Sequence, residues 1–380
     1  MTDVTVIGAG IAGSSTAYYL AADGVDVLLL EQYEPNALAS GSNAGSLHAQ
    51  IQHEPFVEYG EHWARRFAAA LPFYLASIAL WVGAGRELGV DLGVAQAGGV
   101  LVASSDKQMR LIEAKARIER AAGLEIALLD RRSLLDLAPY VNQRMAGGAF
   151  CAAEGRANPL IAASAFVDAA VSLGARVLNG CEVTGITPCA TGYLIHTQRG
   201  DFPTTRVVNA AGIGAGRIAS FVASPLDIQA FPIQLSVTEP VEPLVRHLVY
   251  AAEDRLTLKQ TELGTILIGG GWPSDVDGAG RPQVSIESLT RNLAVALDVV
   301  PSLDAVSVVR SWAAIVNGTQ DWMPILGELP GSRGFFMNYV PWMGFTGGPA
   351  GGRIVASLVQ DKQPPVDFDI RPFAPHRGES

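Results

Sequence analysis

The chain has 380 residues, 49% of them apolar and 17% charged, with a net charge of −10. That length holds two or three domains around a substantial core, and the acidic balance argues against nucleic acid, whose phosphates demand clustered lysine and arginine. The 41 glycines exceed the ~7% of an average chain with no Gly-X-Y period, so they point to sharp turns and to backbone that approaches a ligand closely.

Cys151, Cys181 and Cys189 form neither a CxxC pair nor a disulfide framework. A metal or iron–sulfur centre held by this chain alone is therefore not expected. Asp3 and a strand-length apolar run at 4–7 argue against a signal peptide, so a cytoplasmic, reducing location is the expectation.

Residues 5–7 read as a short apolar strand that runs into Gly8-Ala9-Gly10-Ile11-Ala12-Gly13. A helix over 14–22, a turn at Asp23-Gly24, a strand over 25–30 and then Glu31-Gln32 complete a βαβ unit. In such a unit the first glycine allows the tight turn and the second brings backbone N–H groups to a pyrophosphate. The third lets helix and strand pack closely. The helix N-terminus faces the phosphates with its positive end, and an acid at the end of the second strand accepts from a ribose diol. Strand, glycines, helix and acid in this order predict dinucleotide binding.

The next segment favours FAD over NAD. Residues 39–48 include Ser40, Gly41, Asn43, Ala44, Gly45, Ser46 and Leu47 before His48. Such a small, polar stretch can lie against a ligand, where an NAD domain would continue into another regular crossover. The chain also lacks a second GxGxxG for a separate nicotinamide cofactor. Residues 67–85 carry no charge and approach the length of a membrane span. Pro72 near the start, Gly83 and Gly85 near the end, and Arg86 beside Glu87 in the flank favour a buried core helix, so membrane contact is not expected.

Further along, 159–173 has helical spacing, and 182–186 and 193–197 are short strands. Residues 206–212 form a buried strand ending in Ala210, Ala211 and Gly212, small enough to return beside a cofactor. Strands follow at 231–237, 256–259 and 265–269. A glycine-rich break at 347–352 precedes a helix over 353–360.

The Gly8–Gly13 unit with Glu31, the 39–48 loop, Gly155-Arg156-Ala157-Asn158-Pro159, the 208–212 strand end and the 344–352 segment together resemble the D-amino-acid oxidase superfamily of FAD enzymes. The 40–50, 154–160, 256–260 and 266–272 segments are most similar to the FAD-bearing β subunits of opine oxidases, with hydrogen cyanide synthase and multisubunit proline or hydroxyproline dehydrogenases as near relatives. The resemblance implies an α/β, FAD-binding Rossmann-like domain of glutathione-reductase-2 type, interleaved with an α+β substrate domain built on an antiparallel sheet. The FAD domain would collect 1–85, 146–222 and 311–380, and the substrate domain 86–145 and 223–310. It further implies that Val183 lies against adenine. Gly344, Phe345, Thr346 and Gly347 would then aim a helix N-terminus at the flavin's pyrimidine edge.

The implied reaction oxidises a C–N bond, with hydride passing to flavin N5. Glycine oxidase has an arginine where this chain has Val316, and Trp342 stands where a second arginine-bearing loop would place its cation. Both carboxylate anchors are replaced. Either Arg255, Lys259 or Arg310 takes over, or the substrate pocket is aromatic, lined by Tyr339, Trp342 and Trp272. His48 is the leading polar candidate for substrate or cofactor contact, followed by Lys259 with Gln260. His53, Glu54, Glu61 and His62 read as a solvated or interface face. The resemblance also implies a partner redox subunit (α, possibly with γ) that takes the electrons. A free-standing oxidase that makes hydrogen peroxide, and a non-catalytic flavin-binding subunit, are the alternatives.

Overall fold

The computed structural model describes residues 1–222 and 225–377. The expected boundary between 222 and 223 meets residues 223–224, which lie outside the described residues, as does the end of the chain at 378–380.

Two eight-stranded sheets organise the fold. In the first, Thr2–Ile7 lies between Val27–Leu30 and Gly200–Asn209, parallel to both, and Arg176–Leu178 and Phe335–Tyr339 extend the parallel run on either side. Ile325–Glu328 adds an antiparallel edge, and Val183–Cys189 with Gly192–Thr197 forms an antiparallel annex on Gly200–Asn209. The central strands read as apolar runs because both faces are covered: Val6, Leu29 and Val208 are fully buried toward one core, Leu28, Leu30 and Val207 toward another.

The second sheet runs Val308–Gly318, Gln229–Pro240, Thr265–Pro273, Thr257–Gln260, Leu248–Ala251, Gly99–Ala103, Gly147–Cys151 and Ala127–Asp130. It is antiparallel apart from the Leu248–Ala251/Gly99–Ala103 pair. Helix Ile286–Val299 covers one face. Two expected domain limits cut through this sheet. Strand Gly147–Cys151 lies after the limit at 146, and strand Val308–Gly318 spans the limit at 311, so both belong with the second sheet by hydrogen bonding.

Helix Ile11–Ala22 starts three residues earlier than the spacing suggests, directly after Gly10. The larger correction lies at the other end of the chain. Residues 347–352 do not break it: one helix runs Gly344–Val359 and contains every one of those glycines and Pro349. Their use is packing. A Cβ at Gly348 would meet the Ile11 side chain at 2.7 Å, and one at Gly352 would meet Ser15 Oγ at 2.3 Å and Thr16 N at 2.8 Å. A Cβ at Gly347 would meet Phe73 and Val340. The glycines let this helix seat against helix Ile11–Ala22, where Ser15 Oγ donates to Gly348 O (2.9 Å).

Phe67 ends helix His53–Phe67, and residues 68–85 fall in a 3-10 turn, Ala68–Ala70, and helix Leu71–Leu88, closed by left-handed Gly89 (φ +70°). The continuous helical run His53–Leu88 is long and apolar enough to cross a membrane, yet 56% of its most apolar 18-residue window is buried inside the protein. Phe73, Tyr74 and Trp81 are completely inaccessible. Ser77 Oγ and Trp81 Nε1 donate to Thr346 O (2.6 and 3.0 Å), tying this helix to the first turn of Gly344–Val359.

Candidate functional site

The cradle at the carboxyl end of the first sheet has no room for side chains. Gly8 adopts φ +99°, and a Cβ there would lie 2.6 Å from Ala210 O. At Gly13 it would lie 1.8 Å from Gly8 O. Gly10 caps the helix, with Ser40 Oγ 2.9 Å from where its Cβ would be. Ser40 Oγ also accepts from Ile11 N (2.9 Å), which ties the 39–48 loop to the helix N-terminus. Glu31 is buried; its Oε2 accepts from Ala9 N (2.7 Å) and its Oε1 from Tyr33 N (2.8 Å), fixing the carboxylate beside the glycine turn. Cys181 N donates to Glu31 O (2.8 Å) and brings the segment before Val183 alongside, while Ala210 N donates to Ile7 O (2.9 Å). Gln32 is exposed at the rim.

These features fit FAD. A helix N-terminus stripped of side chains suits a pyrophosphate, and a pinned buried carboxylate with spare lone pairs suits a ribose diol. Gly8, Gly10, Ile11, Ala12, Gly13 and Glu31 would hold the dinucleotide end. The 39–48 loop is shaped by itself and by its neighbours. Asn43 Oδ1 accepts from Gly45 N (2.6 Å), and Trp312 Nε1 donates to Ser42 O (2.8 Å). Left-handed Gly45 (φ +74°) packs on Ala157 O, and Leu47 is fully buried in the core. Thr346 Oγ1 accepts from His48 N (3.0 Å) and donates to Ser46 O (3.1 Å), clamping the loop against helix Gly344–Val359.

Where the two sheets meet, a cavity of about 1850 Å³ opens, walled by Ser46, His48, Tyr250, Trp272, Trp342 and Thr346 among others. The expected catalytic residues are His48, Lys259, Trp342 and Tyr339, and the structure separates them. His48 and Trp342 line the cavity. Tyr339 does not: it is 2% exposed, belongs to the core beneath the first sheet and donates to Gly318 O (3.3 Å). Strand alternation turns it away from its neighbours in sequence. Lys259 is 3% exposed with Nζ 2.5 Å from Ser46 Oγ, and it lines a second cavity of about 440 Å³ with Arg156, His247 and Gln260. Burial, reinforced by Arg156, pushes its ammonium down to about 7.

Gln260 is committed elsewhere. Its Oε1 accepts from Leu244 N and Val245 N, and its Nε2 donates to Val241 O, Glu242 O and Gly264 O, so it organises a loop. Arg310 is exposed over Trp312 and absent from both cavities. Arg255 reaches the large cavity but is ion-paired with Glu54, and Arg291 with Asp254. The 53–62 face divides as well: Glu61 pairs with Arg65 in solvent, whereas His53 and Glu54 turn into the cavity. Both ring nitrogens of His53 are buried without a partner, and burial pushes its pKa down to about 4.

Several contributors leave no trace in sequence spacing. Trp322 stacks on Trp342 (4.4 Å, 14°), Phe231 packs on Trp342 (4.3 Å), and Trp63 meets Trp322 edge-on (5.8 Å). Trp322 and Trp342 both sit at positive φ (65° and 54°), a costly conformation for bulky residues that concentrates at functional sites. Behind the loop lies a buried polar network. Glu154 Oε1 accepts from Ala49 N and Gln50 N (2.7 and 2.9 Å), and Glu119 Oε1 accepts from Ile51 N and Lys115 Nζ (2.8 and 2.6 Å). His48 Nδ1 lies 2.7 Å from Tyr250 Oη. Burial, with the Lys259 charge adding, lowers the His48 pKa to about 3 and keeps the ring neutral.

A parallel sheet with a glycine cradle, a pinned acid and a cavity against a second sheet defines a dinucleotide-binding protein with room for a ligand beside the cofactor. The profile of the FAD-dependent oxidoreductase (DAO) family matches residues 3–358, and the chain belongs to that family. It is 27% identical to glycine oxidase of Geobacillus kaustophilus over 98% of this chain and 96% of that protein. It is 26% identical to one of the subunits of opine oxidase from Rhizobium meliloti, covering 88% and 87%. The solved structure of glycine oxidase from Geobacillus kaustophilus superposes with a TM-score of 0.84 at 25% identity, covering 98% of each chain. The protein is therefore an FAD-dependent oxidoreductase.

Proposed function

We propose that the protein oxidises the C–N bond of a secondary amine of the opine or imino-acid kind, as the catalytic subunit of a multisubunit dehydrogenase. When bound, FAD supplies the hydride acceptor; the chain supplies placement and electrostatics. The observation that carries the reading is the wall of the large cavity. It presents a neutral imidazole at His48 and stacked aromatics at Trp342, Trp322 and Phe231, while its Arg255 and Arg291 are already held by carboxylates. Its remaining arginine, Arg66, is solvent-exposed. A small zwitterion such as glycine therefore finds no free, buried guanidinium in that wall to clamp its carboxylate. A bulkier amine gains from apolar burial at about 25 cal/mol per Å².

The Rhizobium meliloti relative is named as one subunit of its oxidase, which supports a partner chain. The whole-chain likeness to glycine oxidase favours a second reading, a free-standing oxidase. Anaerobic mixing of the FAD-loaded chain with opines, N-methyl amino acids, proline, D-hydroxyproline and glycine should bleach the flavin fastest with a secondary amine. Fastest bleaching by glycine would overturn the substrate assignment. Peroxide formation by the isolated chain as fast as dye reduction would overturn the partner assignment.

A further inference from the structure

The chain has four lysines, Lys107, Lys115, Lys259 and Lys362, and buries two of them in opposite electrostatic settings. Lys115 Nζ is ion-paired with Glu119 Oε1 (2.6 Å). Lys259 is only 3% exposed, yet among the described residues its Nζ meets no carboxylate, only the hydroxyl of Ser46 (2.5 Å). The charged and titratable groups around it are Arg156, whose strand pairs with Ser46, His48 beyond Ser46, and Arg246, His247, Glu242 and Glu262 around the small cavity. Leu267 opposes it across the sheet. A buried ammonium without a counter-charge gives up its proton, and burial with the Arg156 charge brings that point down to about 7. Lys115 is held as a cation; Lys259 is a base.

Ser46 stands between that base and the large cavity. Strand alternation sends Leu47 into the core and the Ser46 hydroxyl the other way, to Lys259, and Ser46 also lines the large cavity. A hydroxyl offers one proton and two lone pairs. With its proton directed to a neutral Lys259, Ser46 Oγ keeps a lone pair for an N–H in the cavity. Other bases in that wall are poorer: burial lowers His48 to about 3 and His53 to about 4, and Glu54 is held by Arg255.

Hydride leaves the carbon beside nitrogen with the help of the nitrogen lone pair, which an ammonium lacks. We propose that Ser46 relays a proton from the substrate's ammonium group to Lys259, so that the amine is neutral when its C–N bond is oxidised. One N–H bond of the ammonium breaks as an O–H bond forms at Ser46 Oγ. The former Ser46 O–H bond breaks as an N–H bond forms at Lys259 Nζ. The substrate nitrogen keeps the electron pair, Lys259 becomes the cation, and it loses the proton to water after the product leaves. Ser46 touches the substrate, and Lys259 acts through it. The relay rests on the amine-oxidation reading above.

The FAD-loaded full chain, labelled with 13C at lysine Cε, tests the base directly by NMR. One of its four lysine signals should titrate near pH 7, and that signal should be missing in Lys259→Met. A Lys259 that stays charged up to about pH 9 overturns the proposal and leaves the oxidation reading intact. Kinetics then use whichever amine of the panel above bleaches the flavin fastest. Wild-type kcat/KM should rise through about pH 7 and level off, because the enzyme takes the substrate's proton. In Lys259→Met only the neutral fraction of the substrate reacts, so kcat/KM should be roughly a hundredfold lower at about pH 8 and keep rising by about tenfold per pH unit. Ser46→Ala should show the same profile with FAD content retained, and the double variant should lose no more than either single one. A Lys259→Met profile that levels off like the wild type, or a Ser46→Ala enzyme as active as the wild type, overturns the relay. Neither the wild-type titration nor Ser46→Ala depends on Lys259→Met folding. Failure of every amine to bleach the flavin would instead overturn the oxidation reading and leave the Lys259 titration measurable.

Discussion

Lys115→Met tests whether the buried polar network behind the flavin loop holds the loop in place. Lys115 and Glu119 side chains are both fully inaccessible, with Nζ 2.6 Å from Oε1. Glu119 Oε1 also takes Ile51 N, and Oε2 has no partner at all. Removing the ammonium leaves a buried carboxylate with one backbone donor, and breaking such a pair from one side costs about 3–5 kcal/mol. Gln50 Oε1 loses its Lys115 donor too, a further ~1–3 kcal/mol if no water reaches it. Against a total stability of roughly 5–15 kcal/mol, the loss is large. It falls on residues 48–51, whose backbone N–H groups go to Thr346, Glu154 and Glu119. Urea unfolding followed by flavin fluorescence should show an earlier transition and FAD release before global unfolding. Arg117→Met, an exposed position on the same helix, serves as control. A Lys115→Met midpoint indistinguishable from the control would refute the reasoning.

Gly352→Ala should destabilise by about 1–3 kcal/mol, because its Cβ would meet Ser15 and Thr16 in the opposing helix, whereas Gly83→Ala, with nothing within 4 Å, should stabilise by roughly 0.5–1 kcal/mol; thermal melts of the pair give the signs, and the same sign for both would contradict the packing account. Lys259 has a folded pKa of about 7, below its unfolded 10.5. Between these values the unfolded chain carries a proton the folded one lacks, so stability from this group rises with pH by up to about 1.4 kcal/mol per unit. The melting temperature of Lys259→Met, followed from pH 7 to 9, should lose that part of the upward slope; an unchanged slope rejects the assignment. His53→Phe removes two buried, unpartnered nitrogens and should raise thermal stability by ~1 kcal/mol, a gain that calorimetry would read as zero or negative if the ring had an unseen partner.

The cradle was legible because its requirements are local. Gly8, Gly10, Gly13 and Glu31 act within one βαβ unit, and steric demands at that turn are written in consecutive residues. The 347–352 glycines misled for a related reason: a glycine needed for helix–helix approach at Ile11 and Ser15 looks the same in sequence as one that breaks a helix. Strand positions in the second sheet were close, since β periodicity is also local. Sheet membership was not, because Gly147–Cys151 and Val308–Gly318 find their partners far along the chain. The catalytic end shows the same limit. His48 was reachable from its loop, but Tyr250, which bonds its ring, and Glu154, which takes Ala49 N, lie 202 residues from His48 and 105 from Ala49. Tyr339 was placed in the pocket by proximity to Trp342, and strand alternation sends it to the opposite core.

The most direct test of the central claim is a single-turnover experiment without oxygen. The FAD-loaded chain is mixed with a saturating secondary-amine amino acid, and flavin absorbance and carbonyl product are followed together. The account predicts loss of the oxidised-flavin band with one carbonyl product per FAD, and reoxidation that is faster with an artificial dye than with oxygen. A flavin that dithionite reduces but that no opine, imino acid or N-methyl amino acid bleaches would contradict it.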